Sequence, residues 1–277
     1  MVASKLPNGF SQDFGGREEP CIGIFGPEGS GKTRLAATAG EYASEHGQIP
    51  GWIVCDRKTR KTVREVCEEL GLDIPLINSK DFITQDEALA LALNENFVEV
   101  QKVYTKAVRA LFEAAVTLGK SPNVNPIIFD SGTQLWDWIA FSHFGRKQDA
   151  GKARVWGPPK QDWTDLMDGL SHKKVVITLR AKEEWLNKME GDKDKSAPTG
   201  RLTTDGPPHL GYTVTSLIRL RQERTRKLKE GEDYVERFAL DVVQSQDNVG
   251  LEGVDEILRG RDITFSNLMM QLRPGEE

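Results

Sequence analysis

One eight-residue run, Gly26-Pro27-Glu28-Gly29-Ser30-Gly31-Lys32-Thr33, constrains this chain more than any other feature. It fits the phosphate-binding pattern GxxxxGK[ST] at every position. An apolar run, Cys21-Ile22-Gly23-Ile24-Phe25, precedes it, and a helix-like stretch from Lys32 to about His46 follows. The pattern needs that strand, loop and helix context. Glycines let the backbone curl so that successive N–H groups face phosphate oxygens, and the helix start adds positive potential. The run therefore predicts a nucleoside triphosphate site built from Gly26 to Thr33 with Arg34 beside it. Lys32 is placed to reach the β- and γ-phosphates, and the Thr33 hydroxyl to ligate magnesium. An ordinary Gly-rich turn lacks both flanking elements.

The rest of the chain alternates strand and helix signals. Apolar runs with turn-like flanks predict strands at 21–25, 52–56, 74–78, 126–130, 174–179, 214–221 and 237–243. Helices are expected over 32–46, 60–70, 85–119, 132–142 and 160–171. The third carries Leu93, Phe97, Val100, Tyr104, Val108, Leu111 and Ala115 at spacings of three and four, a core-packing stripe. Such alternation implies an α/β fold, a mainly parallel central sheet covered by helices on both faces. Its ligand site belongs at the carboxyl ends of the strands. Residues 1–20 read as a polar tail, 21–245 as the main domain and 246–277 as a polar C-terminal appendage. Two Gly- and Pro-rich segments, 143–160 and 186–211, read as long mobile loops.

At 277 residues the chain is long enough for one large α/β domain. Its net charge of −5 argues against a wholly basic nucleic-acid binder, though not against local basic patches. No apolar signal core opens the chain, and no run approaches the roughly 18 apolar residues of a membrane span. A cytoplasmic setting is expected, with no membrane partner. Cys21, Cys55 and Cys67 lack zinc-like spacing and read as free buried thiols. His46, His143, His172 and His209 are scattered and read as structural.

A second half of the nucleotide site follows from Pro126-Ile127-Ile128-Phe129-Asp130-Ser131, an apolar strand that ends in an acid. Asp130 is placed to hold magnesium opposite Thr33. Hydrolysis also needs a group that orients or deprotonates water. Asp56, at the end of Trp52-Ile53-Val54-Cys55, is one candidate; a helix-capping role is the other reading for it. Glu28 competes for the catalytic role but sits where a loop is solvated.

Several segments together resemble RecA and its relatives. Gly26-Pro27-Glu28 with Ser30-Gly31-Lys32-Thr33 resembles the RecA form of the phosphate loop. Ile128-Phe129-Asp130-Ser131 with Leu135 resembles the second nucleotide motif, and Val175-Val176-Ile177-Thr178 the following strand. There the family usually continues with Asn-Gln, whereas this chain has Leu179-Arg180. Thr213 to Arg221 resembles the strand after the second DNA-binding loop. A nearer resemblance is to short RecA-like ATPases of bacteriophages associated with single-strand annealing and recombination. It rests on Leu135-Trp136-Asp137, Trp156-Gly157 and Thr178-Leu179-Arg180-Ala181-Lys182, and covers roughly residues 20–245.

The resemblance implies a magnesium-dependent ATPase with a RecA-like core, catalytic residues Lys32, Asp56 and Asp130, and magnesium at Thr33 and Asp130. It further implies single-stranded DNA as a partner, assembly into a homo-oligomer (ring or filament), and a single-strand-binding protein as a candidate further partner. For a phage protein the setting is the cytoplasm of a bacterial host. The two expected loops would face DNA, through Arg146, Lys147, Lys152, Arg154 and Trp156 in the first and Lys188 in the second. Trp156 would stack on a base; the alternative is a tryptophan packed on the core. Candidates for a cation reaching a neighbouring subunit's γ-phosphate are Arg180, Lys182, Arg219 and Arg221. Other readings on the same core are a helicase, a packaging motor, a small-molecule kinase, or a non-hydrolysing nucleotide switch or scaffold.

Overall fold

Buried, near-continuous apolar segments build the centre of the molecule. The computed structural model describes residues 19–56, 59–71, 76–93, 96–145, 156–190, 193–223 and 234–275. The strands are β1 (Cys21–Gly26), β2 (Ile49–Val54), β3 (Leu76–Asn78), β4 (Val124–Asp130), β5 (Val175–Glu190), β6 (Lys193–Asp205), β7 (Ser216–Gln222), β8 (Phe238–Ser245) and β9 (Leu258–Arg259). The helices are α1 (Lys32–Ala37), α2 (Ala39–Glu45), α3 (Thr59–Leu70), α4 (Gln85–Ala92), α5 (Phe97–Gly119), α6 (Gly132–Phe144), α7 (Gly157–Gly169), α8 (Leu210–Thr213) and α9 (Phe265–Leu272). They flank one sheet of order β3-β2-β4-β5-β1-β7-β8-β9, with β6 paired to β5. The five pairings from β3 to β7 are parallel; β6, β8 and β9 join antiparallel. This is the expected mainly parallel α/β sheet flanked by helices.

Period-two alternation sorts each central strand between two cores. Cys21 and Phe25 of β1, Ile127 and Phe129 of β4, and Val175, Ile177 and Leu179 of β5 pack under α5, α6 and α7. Ile22, Ile24, Trp52, Val54, Ile128 and Val176 face the other way, toward α1, α2, α3 and α9. Asp130 and Thr178 share the parity of this second set. They therefore emerge on the face that carries the phosphate loop, at the carboxyl edge of the sheet.

Several boundaries differ from expectation for local reasons. The helix expected over 32–46 divides at Thr38, whose hydroxyl donates to Leu35 O at 2.7 Å and accepts from Phe265 N at 2.8 Å. The one expected over 85–119 divides before Asn96, whose side chain caps α5 by accepting from Glu99 N. Helix α7 starts earlier than expected because Pro158 and Pro159 suit a first turn, where no N–H partner is needed.

The largest correction concerns 186–211. Expected as a mobile loop, most of it is the antiparallel hairpin of β5 and β6, registered from Arg180↔Asp205 outward to Glu190↔Lys193. Its Gly and Pro residues accompany an irregular register between Glu183 and Trp185, and a left-handed Gly200 with φ 74°. Within 246–277, β9 pairs with β8, and α9 buries Phe265, Leu268, Met269 and Leu272 in the second core. All three cysteines are buried and unbridged. No described helix is long and apolar enough to cross a membrane.

Candidate functional site

The phosphate loop leaves β1 under tight steric control. A Cβ on Gly26 would lie 2.2 Å from Leu220 O on the neighbouring strand, so only glycine fits there. Gly31 has φ 90°, in the region that glycine favours, and its carbonyl accepts the first turn of α1 from Leu35 N. The turn brings the ammonium of Lys32 back over its own loop, donating to Gly26 O and Pro27 O at 2.8 Å each. Burial pulls the Lys32 pKa down; Asp130 and Glu28 oppose that pull, and the Arg180 charge adds to it.

Strand order delivers the other groups. In β5, which separates β1 from β4, Thr178 is registered against both Ile24 and Asp130. Its hydroxyl donates to Asp130 Oδ1 at 2.5 Å. Asp130 Oδ2 is buried and has no hydrogen-bond partner. Burial pushes the Asp130 pKa up, against the Thr178 and Thr33 hydroxyls, which hold it down; Asp56 raises it further and Lys32 lowers it. One strand over, Val54 pairs with Asp130, so Asp56 follows at the same edge. Asp56 Oδ2 accepts from Arg180 Nη2 at 2.6 Å.

These groups line one cleft of about 460 Å³, within the range of small-molecule sites, roughly 300–1,000 Å³. Glu28, Gly29, Gly31, Lys32, Thr33, Arg34, Asp56, Asp130 and Arg180 all border it. Glu28 is exposed, and Arg34 also pairs with Glu69 of α3 at 2.7 Å. Thr178, Thr62 and Ser131 border it as well. Thr178 was not among the expected site residues, although its parity with Asp130 is a usable signal. A wider trough of about 720 Å³ runs along α5 past Lys102, Lys106 and Arg109. It is bordered by exposed faces of one helix, and no buried polar group is left short there.

The donor set fits a hard divalent cation. An orphaned, desolvated carboxylate oxygen beside a hydroxyl supplies hard oxygen ligands, the kind magnesium takes. Thr33 and Asp130 would hold the ion.

The remaining expected residues fall elsewhere. Trp156 is buried: it stacks on Trp136, with centroids 5.4 Å apart, and meets Phe144 edge-on. Base stacking by Trp156 is therefore corrected to core packing, because the ring is buried, stacked on Trp136 and met by Phe144. Arg146, Lys147, Lys152 and Arg154 lie outside the described residues, as does the side chain of Lys188. The four candidate trans cations all have acidic partners within the chain. Arg180 meets Asp56, and Lys182 meets Asp205 at 3.6 Å. Arg219 and Arg221 both meet Asp241, at 2.8 and 3.1 Å.

No family model matches this chain, and no curated protein does. Solved structures do match. One is the crystal structure of the RadB recombinase, 13% identical, with a TM-score of 0.45 over 85% of this chain and 84% of that one.

Proposed function

We propose that this chain is a magnesium-dependent ATPase of the RecA-like kind, acting on single-stranded DNA as a homo-oligomer in recombination or strand annealing. The convergence of Lys32, Thr33 and Asp130 on one cleft, with Asp130 Oδ2 left unpartnered, carries the ATPase reading. The resemblance of these motifs to RecA-like phage ATPases supports the biological setting.

Catalysis on this reading is positioning and charge neutralisation. The loop N–H groups and the Lys32 ammonium bind the β- and γ-phosphates, Lys32 exchanging its two carbonyl partners for phosphate oxygens. Thr33 and Asp130 would hold magnesium, which would offset the charge of the phosphates. Thr178 fixes the orientation of Asp130, so that Oδ2 stays available. Asp56, at the far side of the cleft, takes the proton from the attacking water.

The DNA reading draws on the β5–β6 hairpin, whose first strand continues directly out of the cleft. Trp185 and Leu202 are exposed on it, at 55% and 44%. Leu202 pairs with Glu183, and the exposed Trp185 indole beyond it offers a sequence-tolerant stacking surface for bases.

Magnesium-dependent phosphate release, with and without single-stranded DNA, tests both parts. The wild type is expected to release phosphate, faster with DNA and less so as salt rises. Folded Lys32→Ala is expected to lose at least about 100-fold of that rate. Normal turnover in folded Lys32→Ala contradicts the ATPase reading; turnover indifferent to DNA contradicts the DNA reading alone.

A further inference from the structure

We propose that Arg180 is the γ-phosphate cation of its own subunit, parked on Asp56 until a triphosphate draws it away. This rests on the nucleotide reading above and adds a residue and a regulatory step to it.

Three observations converge on Arg180. Its side chain borders the same cleft as Lys32 and Asp130. Its charge lowers the Lys32 pKa, so the guanidinium lies within electrostatic reach of the ammonium that binds phosphate. Its Nη2 donates to Asp56 Oδ2 at 2.6 Å, which ties it to the carboxylate expected to handle water. In this arrangement the two groups neutralise each other, and neither is free for phosphate or water.

The backbone and the side chain of Arg180 are held differently. The Arg180 N–H donates to Thr133 Oγ1 at 2.9 Å, and the same hydroxyl donates to Asp205 O. Thr133 thus pins the mouth of the hairpin from α6. The guanidinium is half exposed, at 52%, on a long stem free to turn. Movement of the side chain alone therefore exchanges Asp56 for another anion, with the backbone fixed.

A γ-phosphate carries more charge than a carboxylate and presents oxygens suited to a guanidinium fork. With a triphosphate bound, Arg180 moves to the γ-phosphate and releases Asp56. Asp56 then accepts a proton from water as the water oxygen bonds to the γ-phosphorus. The bond from that phosphorus to the β–γ bridging oxygen breaks, and ADP leaves with the electron pair. A diphosphate offers no γ-oxygens, so Arg180 stays on Asp56. The pair acts as a sensor for the third phosphate.

The test measures affinities for ADP and for a non-hydrolysable ATP analogue, with ATP turnover alongside, in wild type, Arg180→Ala, Arg180→Lys, Asp56→Asn and Lys32→Ala, each checked for fold by circular dichroism. In Arg180→Ala the preference for triphosphate over diphosphate is expected to fall about 10-fold or more. Arg180→Lys is expected to restore part of it. Asp56→Asn gives the distinguishing signature: the triphosphate binds about two- to fivefold tighter, because no carboxylate competes for Arg180, while turnover falls at least about 100-fold. An unchanged preference in Arg180→Ala, or no tightening in Asp56→Asn, overturns the proposal while wild type still binds nucleotide and Lys32→Ala does not. If wild type binds neither nucleotide, the underlying reading falls and this proposal with it.

Discussion

Among the described residues two aspartates are buried in this sheet, and their surroundings are opposites. Asp130 ends β4, and Asp241 lies on β8; they are 2% and 1% exposed. Both oxygens of Asp241 are engaged. Oδ2 accepts from Arg219 Nε at 2.9 Å, and Oδ1 from Glu256 N at 2.8 Å and Arg221 Nε at 3.1 Å. Around it Arg221 and Arg259 share Glu223 and Glu256, forming a closed ionic network that ties β7, β8 and β9 together. Asp130 has Thr178 on one oxygen and no hydrogen bond on the other. A buried carboxylate is tolerated when its charge is met and costs stability when it is not. The satisfied aspartate reads as structural; the unsatisfied one, facing a cleft beside a phosphate loop, reads as a site held ready for a cation.

The comparison is broken most sharply at Asp130. Asp130→Asn is expected to lower phosphate release by about 100- to 1,000-fold, by removing charge placed for the transition state. The same change removes a desolvated charge whose Oδ2 lacks a hydrogen bond, so its melting temperature is expected to rise by about 2–4 °C. Loss of both activity and stability would make Asp130 an ordinary structural acid. Asp241→Asn reverses the pattern. Urea unfolding is expected to show a loss of about 3 kcal/mol, since two arginines lose their shared buried partner. Nucleotide affinity per folded molecule should change less than about twofold, since Asp241 does not border the cleft.

The smallest effect sharpens the network itself. Hydrogen bonds from Arg259 and then Arg221 hold the Glu223 carboxyl at about 2, below its usual value of 4.5. A lowered folded value means that the stabilisation is present above pH 4.5 and is lost as the pH falls toward 2. Glu223→Gln is expected to flatten the acid-induced decline in stability over that window, by less than about 1 kcal/mol because the group is near the surface. An identical decline in both proteins would exclude Glu223 from it.

What was legible in the sequence divides along the same physical line. The phosphate loop is contiguous, so residues 26–33 could be read directly. Asp130 was legible because a strand buried on both faces reads as an unbroken apolar run that ends where the site begins. The partnership of Asp56 and Arg180, 124 residues apart, depends on strand order, which no local pattern reports. The hairpin was hidden for a related reason: the antiparallel pairing of β5 with β6 holds a polar, Gly- and Pro-containing segment that local propensity assigns to a loop. Trp156 was misplaced because its charged neighbours in sequence suggested a surface, whereas Trp136 and Phe144 enclose it in space. The network around Asp241 joins strands whose basic residues, read alone, suggested contacts to another subunit.

The most direct test of the central claim is the thermal shift produced by ATP with and without magnesium, in wild type and in Asp130→Asn. Wild type is expected to gain stability from ATP and distinctly more when magnesium is present, since a ligand that binds only the folded state stabilises it. Asp130→Asn should start from a higher melting temperature and lose the magnesium-dependent part of the gain. Equal magnesium-dependent shifts in the two proteins would contradict the assignment of the unpartnered Asp130 oxygen to the metal.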